Sequence, residues 1–185
     1  METKQAIRKE ILRRRREADP EKIITNSSKI CQTLCSLDAF KKSQWIYLYI
    51  DCKKEVMTGE IMAEALRCKK RIAAPKVIGS DMIFYEITSE QDLEPGYFGI
   101  REPREGLAVA GTDSVFLVMP GVAFDRHRHR AGYGGGFYDR YLSTHPDFYK
   151  AAVAFEFQMV EEVPTEPTDI CPDIVITENR IYLLS

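Results

Sequence analysis

Apolar residues recur along this chain in two periods, and the changes between them mark out its elements. Ile7 and Ile11 stand four apart within residues 4–18, a spacing that keeps both on one side of a helix. Thr3 is placed to cap that helix and Asp19-Pro20 to close it. Ile23, Ile30, Leu34 and Leu37 give a second helix over about 21–37. The run from Trp45 to Ile50 is short, continuous, aromatic and branched, which predicts a buried strand. A third helix is expected at about 58–69, after Thr58, with a strand at Arg71–Pro75 following it.

Met82 to Ile87 is a further strand candidate. Residues 88–112, punctuated by Pro95, Gly96, Gly99, Pro103, Gly106 and Gly111, are expected to be mostly loop. Val115–Met119 is the most apolar strand and stops at Pro120-Gly121; Ala151–Phe155 and Asp173–Thr177 read as the last central strands. Strands alternating with helices predict an α/β fold with a partly parallel central sheet and helices on both faces. No repeat, low-complexity tract or linker divides the chain, so residues 1–185 are read as one domain.

Composition narrows the function classes. With 44% hydrophobic and 29% charged residues the chain has the balance of a soluble globular protein. No stretch approaches the roughly 20 apolar residues of a membrane span, and the charged N-terminus lacks a signal peptide's apolar stretch, so a cytoplasmic protein without membrane contact is expected. The net charge of −2 gives no overall bias toward nucleic acid. Residues 1–16 carry seven Lys/Arg against Glu2 and Glu10, a local +5, yet four consecutive arginines (Arg13–Arg16) point in different directions on a helix, so no nucleic-acid partner is expected. Oligomeric state is not encoded in any motif; monomer or weak homodimer is the expectation. The five cysteines are odd in number with no CxxC pair, which argues against a disulfide framework or zinc knuckle. Cys31 and Cys35, one turn apart, read as small core residues.

The segment that carries chemistry runs from Pro120 to Leu142: PGVAFDRHRHRAGYGGGFYDRYL. It begins where a buried strand ends and enters a helix-like stretch, and ligands of open α/β sheets bind at carboxyl ends of strands. Four glycines within 132–136 would let backbone amides approach an anion, with Arg130 and Arg140 flanking them. The same glycines would equally serve a plain turn, since turns need φ > 0 whatever the ligand. There is no GxxxxGK[ST], and the dinucleotide fingerprint fits poorly. Likewise Lys4 and Arg8 share a helix face that suits either phosphate or solvent. His127 and His129 lack cysteine or acidic partners other than Asp125, which leaves little of a metal site.

Taken together, the PG.AFD stretch, the arginine, the glycine-rich loop and the YDR of residues 138–140 resemble the signature of the 5-formyltetrahydrofolate cyclo-ligases. Lys4–Arg8 resembles the family's basic N-terminal helix, Tyr97–Pro103 its FGI.EP stretch, and Asp169 with Asp173 its acidic C-terminal strand entry. Arg101 stands where proline is usual and Gly135 where some members have lysine. The resemblance implies a Mg²⁺- and ATP-dependent conversion of 5-formyltetrahydrofolate to 5,10-methenyltetrahydrofolate by way of a phosphorylated formyl oxygen. It implies catalytic roles for Arg130 and Tyr138, with ATP held by Lys4, Gln5, Ala6, Ile7 and Arg8 and by Arg130, Ala131, Gly132, Tyr133, Gly134, Gly135, Gly136, Phe137 and Tyr138. The folate would meet Ile50, Glu55 and Phe98, and the metal Asp139 or Asp169. The alternative reading is a nucleotide-binding regulatory or RNA-associated module that keeps the loop without catalysis.

Overall fold

The structure, a computed structural model, describes residues 3–96 and 99–183. Helix α1 (Lys4–Glu17) starts as expected, the Thr3 hydroxyl accepting from Ala6 N at 3.2 Å. Asp19 caps α2 (Pro20–Ser36) through Glu21 N, with Pro20 in the first turn where its missing N–H is harmless. A short α3 (Asp38–Lys42) follows, unforeseen because its one buried apolar residue, Phe40, has no period; Phe40 meets Phe116 edge to face at 5.6 Å.

Strand β1 is Trp45–Tyr47, shorter than the Trp45–Ile50 run. Its ladders to both neighbours end at Tyr47, Leu48 N makes one more bond to Ala73 O, and the chain then turns away. Helix α4 (Gly59–Arg67) begins after Thr58, but the Thr58 hydroxyl donates to Tyr49 O at 2.9 Å and caps nothing. β2 (Arg71–Ile78) outruns its expected end at Pro75. Pro75 lies past Ala73, the last residue paired to β1, so its missing N–H forfeits no ladder bond on that side. β3 (Asp81–Ile87) pairs back on β2.

The stretch expected to be loop holds two short paired strands, β4 (Leu93–Pro95) and β5 (Arg101–Pro103). β6 (Val115–Met119) is fully buried, and β7 (Ala123–Phe124) and β8 (Arg130–Ala131) form a small hairpin after it. Then come α5 (Phe137–Ser143), β9 (Tyr149–Val153), β10 (Ile174–Ile176) and β11 (Ile181–Tyr182). Ala154 and Phe155, and likewise Asp173 and Thr177, belong to the expected strands but fall just outside the observed ones. β11 is a two-residue edge strand, too short for any period to show.

The main sheet runs β11–β10–β9–β6–β1–β2–β3, with the five inner strands parallel and both edges antiparallel. Alternate residues divide between its faces. Ile46, Phe116 and Val118 pack with Ile30, Leu34 and Phe40 of α2 and α3 and Ile61 of α4, while Tyr47, Leu117 and Met119 pack with Phe84, Phe148 and Leu142 of α5. α1 lies on neither face; Ile7 and Ile11 pack on Val122, Ala123 and Ala131 of the hairpin. No described helix is long and apolar enough to cross a membrane.

The RHRHR turn closes on Asp125, which is fully buried. Its carboxylate accepts from His127 N at 2.8 Å, His129 N at 3.0 Å, the His129 ring at 2.8 Å and Val163 N at 3.0 Å. His129 is thereby used in closing the turn. Asp125→Ala strands these donors, and each buried unmet donor costs about 1–3 kcal/mol. We expect a loss of roughly 2–5 kcal/mol in urea unfolding; a midpoint equal to the parent's would show that the carboxylate is dispensable.

Candidate active site

β2 lies to one side of β1 and β6 to the other, so the chain after β1 and the chain after β6 leave the sheet in different directions. A crevice opens at that switch point. It widens into a cleft of about 1800 Å³. Its walls come from α1, from residues 49–55 after β1, from the β7–β8 hairpin and glycine loop after β6, from α5, and from residues 166–170.

Glycine is required at several points of the loop. Gly134 has φ +103° and Gly136 +64°, conformations that β-carbon-bearing residues rarely adopt. A β-carbon on Gly132 would come within 2.8 Å of the Arg130 guanidinium. α1 reaches the loop through its basic face: Arg8 Nε donates to Gly132 O at 2.6 Å, and Lys4 Nζ meets Asp169 Oδ2 at 2.6 Å. Lys4 and Arg8 thus belong to the cleft and are not a solvated stripe.

Arg130 is buried and held by Asp139, Nη2 to Oδ1 at 2.8 Å; the same oxygen accepts Ile170 N at 3.0 Å. Asp169 accepts Glu166 N as well as Lys4, so the two aspartates share one wall through adjacent residues. Among the described residues no three His, Cys, Asp or Glu side chains converge where they could hold a metal ion. Burial works to raise the Asp169 carboxyl, but the Lys4 ammonium and the Glu166 N–H outweigh it and hold it below its ordinary value. The Tyr138 hydroxyl is buried beside Arg130 and makes no hydrogen bond among the described residues. Burial first, then the Glu55 carboxylate, push its pKa up, so it stays a protonated donor.

The other end of the cleft centres on Glu55, 7% exposed, whose Oε2 accepts Cys52 N at 3.0 Å. Its Oε1 accepts the Tyr133 hydroxyl, and that hydroxyl accepts in turn from Arg15 Nη1. Arg15 is only 2% exposed and also donates to Gly121 O at 3.2 Å. It was missed as one of four arginines in a row, although it continues the Ile7, Ile11 stripe at the same spacing of four.

Of the residues expected at a site, Lys4, Gln5, Arg8, Ile50, Glu55, Arg130, Gly132 to Asp139 and Asp169 all line this cleft. Ile7 and Ala131 do not: both are buried between α1 and the hairpin. Ala6 is exposed and is absent from the wall, because it lies between the positions that α1 turns toward the loop. Phe98 lies outside the described residues.

The sequence profile described as the 5-formyltetrahydrofolate cyclo-ligase family matches residues 1–178. The chain belongs to that family. The solution structure of the 5,10-methenyltetrahydrofolate synthetase of Aquifex aeolicus superposes with a TM-score of 0.85 at 36% identity, covering 98% of this chain and 92% of that one. The corresponding synthetase of Mycoplasma pneumoniae gives 0.77 at 25% identity, covering 95% and 98%. The mouse 5-formyltetrahydrofolate cyclo-ligase is 27% identical over 95% of this chain and 94% of its own. This member of the cyclo-ligase family is therefore an α/β enzyme, and these relatives match nearly all of its length.

The Lys4–Asp169 pair joins the first turn of α1 to the chain before β10. A carboxyl held below its usual value contributes stability that is complete above its unfolded pKa, 3.8, and lost as pH falls through the lower folded value. Asp169→Asn should therefore destabilise the protein at pH 7 and matter progressively less below about pH 4. Urea midpoints across pH 2–7 check this; a deficit that stays constant to the lowest pH would mean the pair contributes nothing.

Proposed function

We propose that the chain binds ATP at the glycine-loop end of the cleft and 5-formyltetrahydrofolate at the Glu55 end, and uses phosphoryl transfer from ATP to drive ring closure of the folate to 5,10-methenyltetrahydrofolate. One observation carries the reading: a basic helix face, a glycine loop and a buried carboxylate with aromatic neighbours open into a single cleft. Among the described residues Arg8 uses only Nε, on Gly132 O, which leaves its two Nη groups for phosphate oxygens. Among the described residues the Tyr138 hydroxyl and the Arg130 Nε are buried without partners, donors that a bound anion would satisfy.

In this scheme the formyl oxygen attacks the γ-phosphorus and the bond to the bridging oxygen breaks, releasing ADP. The folate 10-nitrogen then adds to the activated carbon and loses its proton, and the carbon–oxygen bond to phosphate breaks. Positioning and charge stabilisation account for most of the catalysis in such transfers. Arg130 is held ready by Asp139, and Tyr138 donates toward charge growing on the transferred group. Magnesium fits Asp139 and Asp169: Asp139 Oδ2 and Asp169 Oδ1 make no hydrogen bond among the described residues, and Mg²⁺ takes one or two carboxylates with water and phosphate. When bound it would neutralise phosphate charge.

The test is incubation with 5-formyltetrahydrofolate and Mg-ATP while following the near-ultraviolet absorbance of the methenyl product. ATP binding with no product would reduce the protein to a binding module. Within that assay Lys4→Ala/Arg8→Ala should raise the ATP concentration needed for half-maximal rate by roughly 10-fold or more, with the folate requirement little changed. Identical ATP curves for the two proteins would return α1 to a scaffold role.

A further inference from the structure

Tyr133 stands between Gly132 and Gly134, in the middle of the loop assigned above to the nucleotide, yet its hydroxyl serves the opposite end of the cleft. The residue is 55% exposed overall while its hydroxyl ends on two buried groups, Arg15 and Glu55. Both are fixed from behind, Arg15 by Gly121 O at 3.2 Å and Glu55 by Cys52 N at 3.0 Å. Arg15 Nη1 stops 3.7 Å from Glu55 Oε1, beyond hydrogen-bond range, and the tyrosine oxygen fills that gap. Three segments distant in sequence therefore share one hydroxyl: α1, the turn after β1, and the glycine loop.

Resting on the cyclo-ligase reading, we propose that Tyr133 is a positioning residue for the folate end and not a nucleotide contact. Opposite charges close together in a poorly hydrated site attract strongly. Without a spacer, the Glu55 carboxylate turns toward Arg15 and forms a direct pair. The Tyr133 hydroxyl satisfies both partners and holds them apart. An ionised carboxylate offers about four acceptor positions. Cys52 N and Tyr133 take one on each oxygen, and no other described residue takes the remainder, which suit the N–H edge of a flat heterocycle. Tyr133 stays a donor in this arrangement, since burial and the neighbouring carboxylate both push its pKa up.

The location makes the idea separable from a merely local role. A residue that only shapes the glycine loop, or touches phosphate, moves the ATP requirement first. A residue acting through Glu55 moves the folate requirement alone. The experiment compares Tyr133→Phe, Glu55→Gln and their double variant, with KM for 5-formyltetrahydrofolate and for ATP measured separately on proteins of matched thermal stability. Tyr133→Phe should raise the folate KM roughly 10-fold or more, the scale of a hydrogen bond to a charged group, while the ATP KM stays within about twofold. The double variant should be no worse than Glu55→Gln alone, because the hydroxyl acts only through that carboxylate. Arg15→Lys keeps the charge but loses the fork, and gives a second reading of the same bridge with the same split. An unchanged folate KM, an equal rise in the ATP KM, or multiplying effects in the double variant overturns the proposal and leaves the cyclo-ligase reading standing. Absence of methenyl product from the parent protein overturns both.

Discussion

Parallel pairing of β1 with β6 is the constraint from which the cleft follows. β6 enters the sheet on the side of β1 away from β2, so the two chains leaving their carboxyl ends diverge and cannot cover each other. One carries Glu55 and the other the glycine loop. Gly121, just past β6, shows how tight the exit is: a β-carbon there would stand 2.4 Å from the Phe124 ring. Its carbonyl is also a shared anchor, accepting from Arg15 and from the buried Gln158 amide at 2.9 Å. The hairpin that supports α1 and the network that holds Glu55 therefore start from the same peptide.

The charges of this cleft are arranged for a ligand more than for stability. Desolvating an ion pair tends to offset its Coulombic gain, so Arg15 with Glu55 and Arg130 with Asp139 are poor devices for holding a fold together. Three of the four buried side-chain polar atoms without partners among the described residues are Arg15 Nε, Arg130 Nε and Tyr138 OH, and all three belong to residues of the cleft wall. Such groups are unfavourable in the free protein and become favourable when a polar ligand meets them. The fold tolerates them because its two apolar faces are built elsewhere, on either side of β1 and β6.

The main helices and the inner strands were legible in the sequence because burial imposes a period on them. Ile7 with Ile11, and the Val115–Met119 run, are of this kind. What escaped was decided by single contacts. The end of β1 depends on where the ladders stop, the hydroxyl of Thr58 on Tyr49 O, and α3 on one phenylalanine. The cleft was legible as a glycine loop with flanking arginines. Its Glu55 end was legible only by resemblance, since an isolated loop carboxylate has no pattern. Arg15 carries its own signal: extending the stripe of residues 7 and 11 by one more turn makes it the third member, charged where apolar is expected.

The two positions at which the sequence departs from the expected motif, Gly135 and Arg101, have physical accounts in this chain. A β-carbon on Gly135 would lie 2.6 Å from the Phe137 ring, so a lysine or any other side chain there requires Phe137 to move. The loop instead packs on that ring, and the Arg140 guanidinium stacks over the ring at 5.0 Å while donating to Gly135 O at 2.8 Å. Positive charge then reaches the loop from outside it, from Arg140 on α5 and from Arg8 and Lys4 on α1. Arg101, where the resemblance leads one to expect proline, donates through Nη2 to Glu90 O at 2.6 Å and through Nη1 to the Glu90 carboxylate at 3.2 Å. Proline stiffens such a strand by fixing its own φ. Arginine does so here by tying β5 to the turn before β4, so the segment is held by side-chain hydrogen bonds in place of a ring.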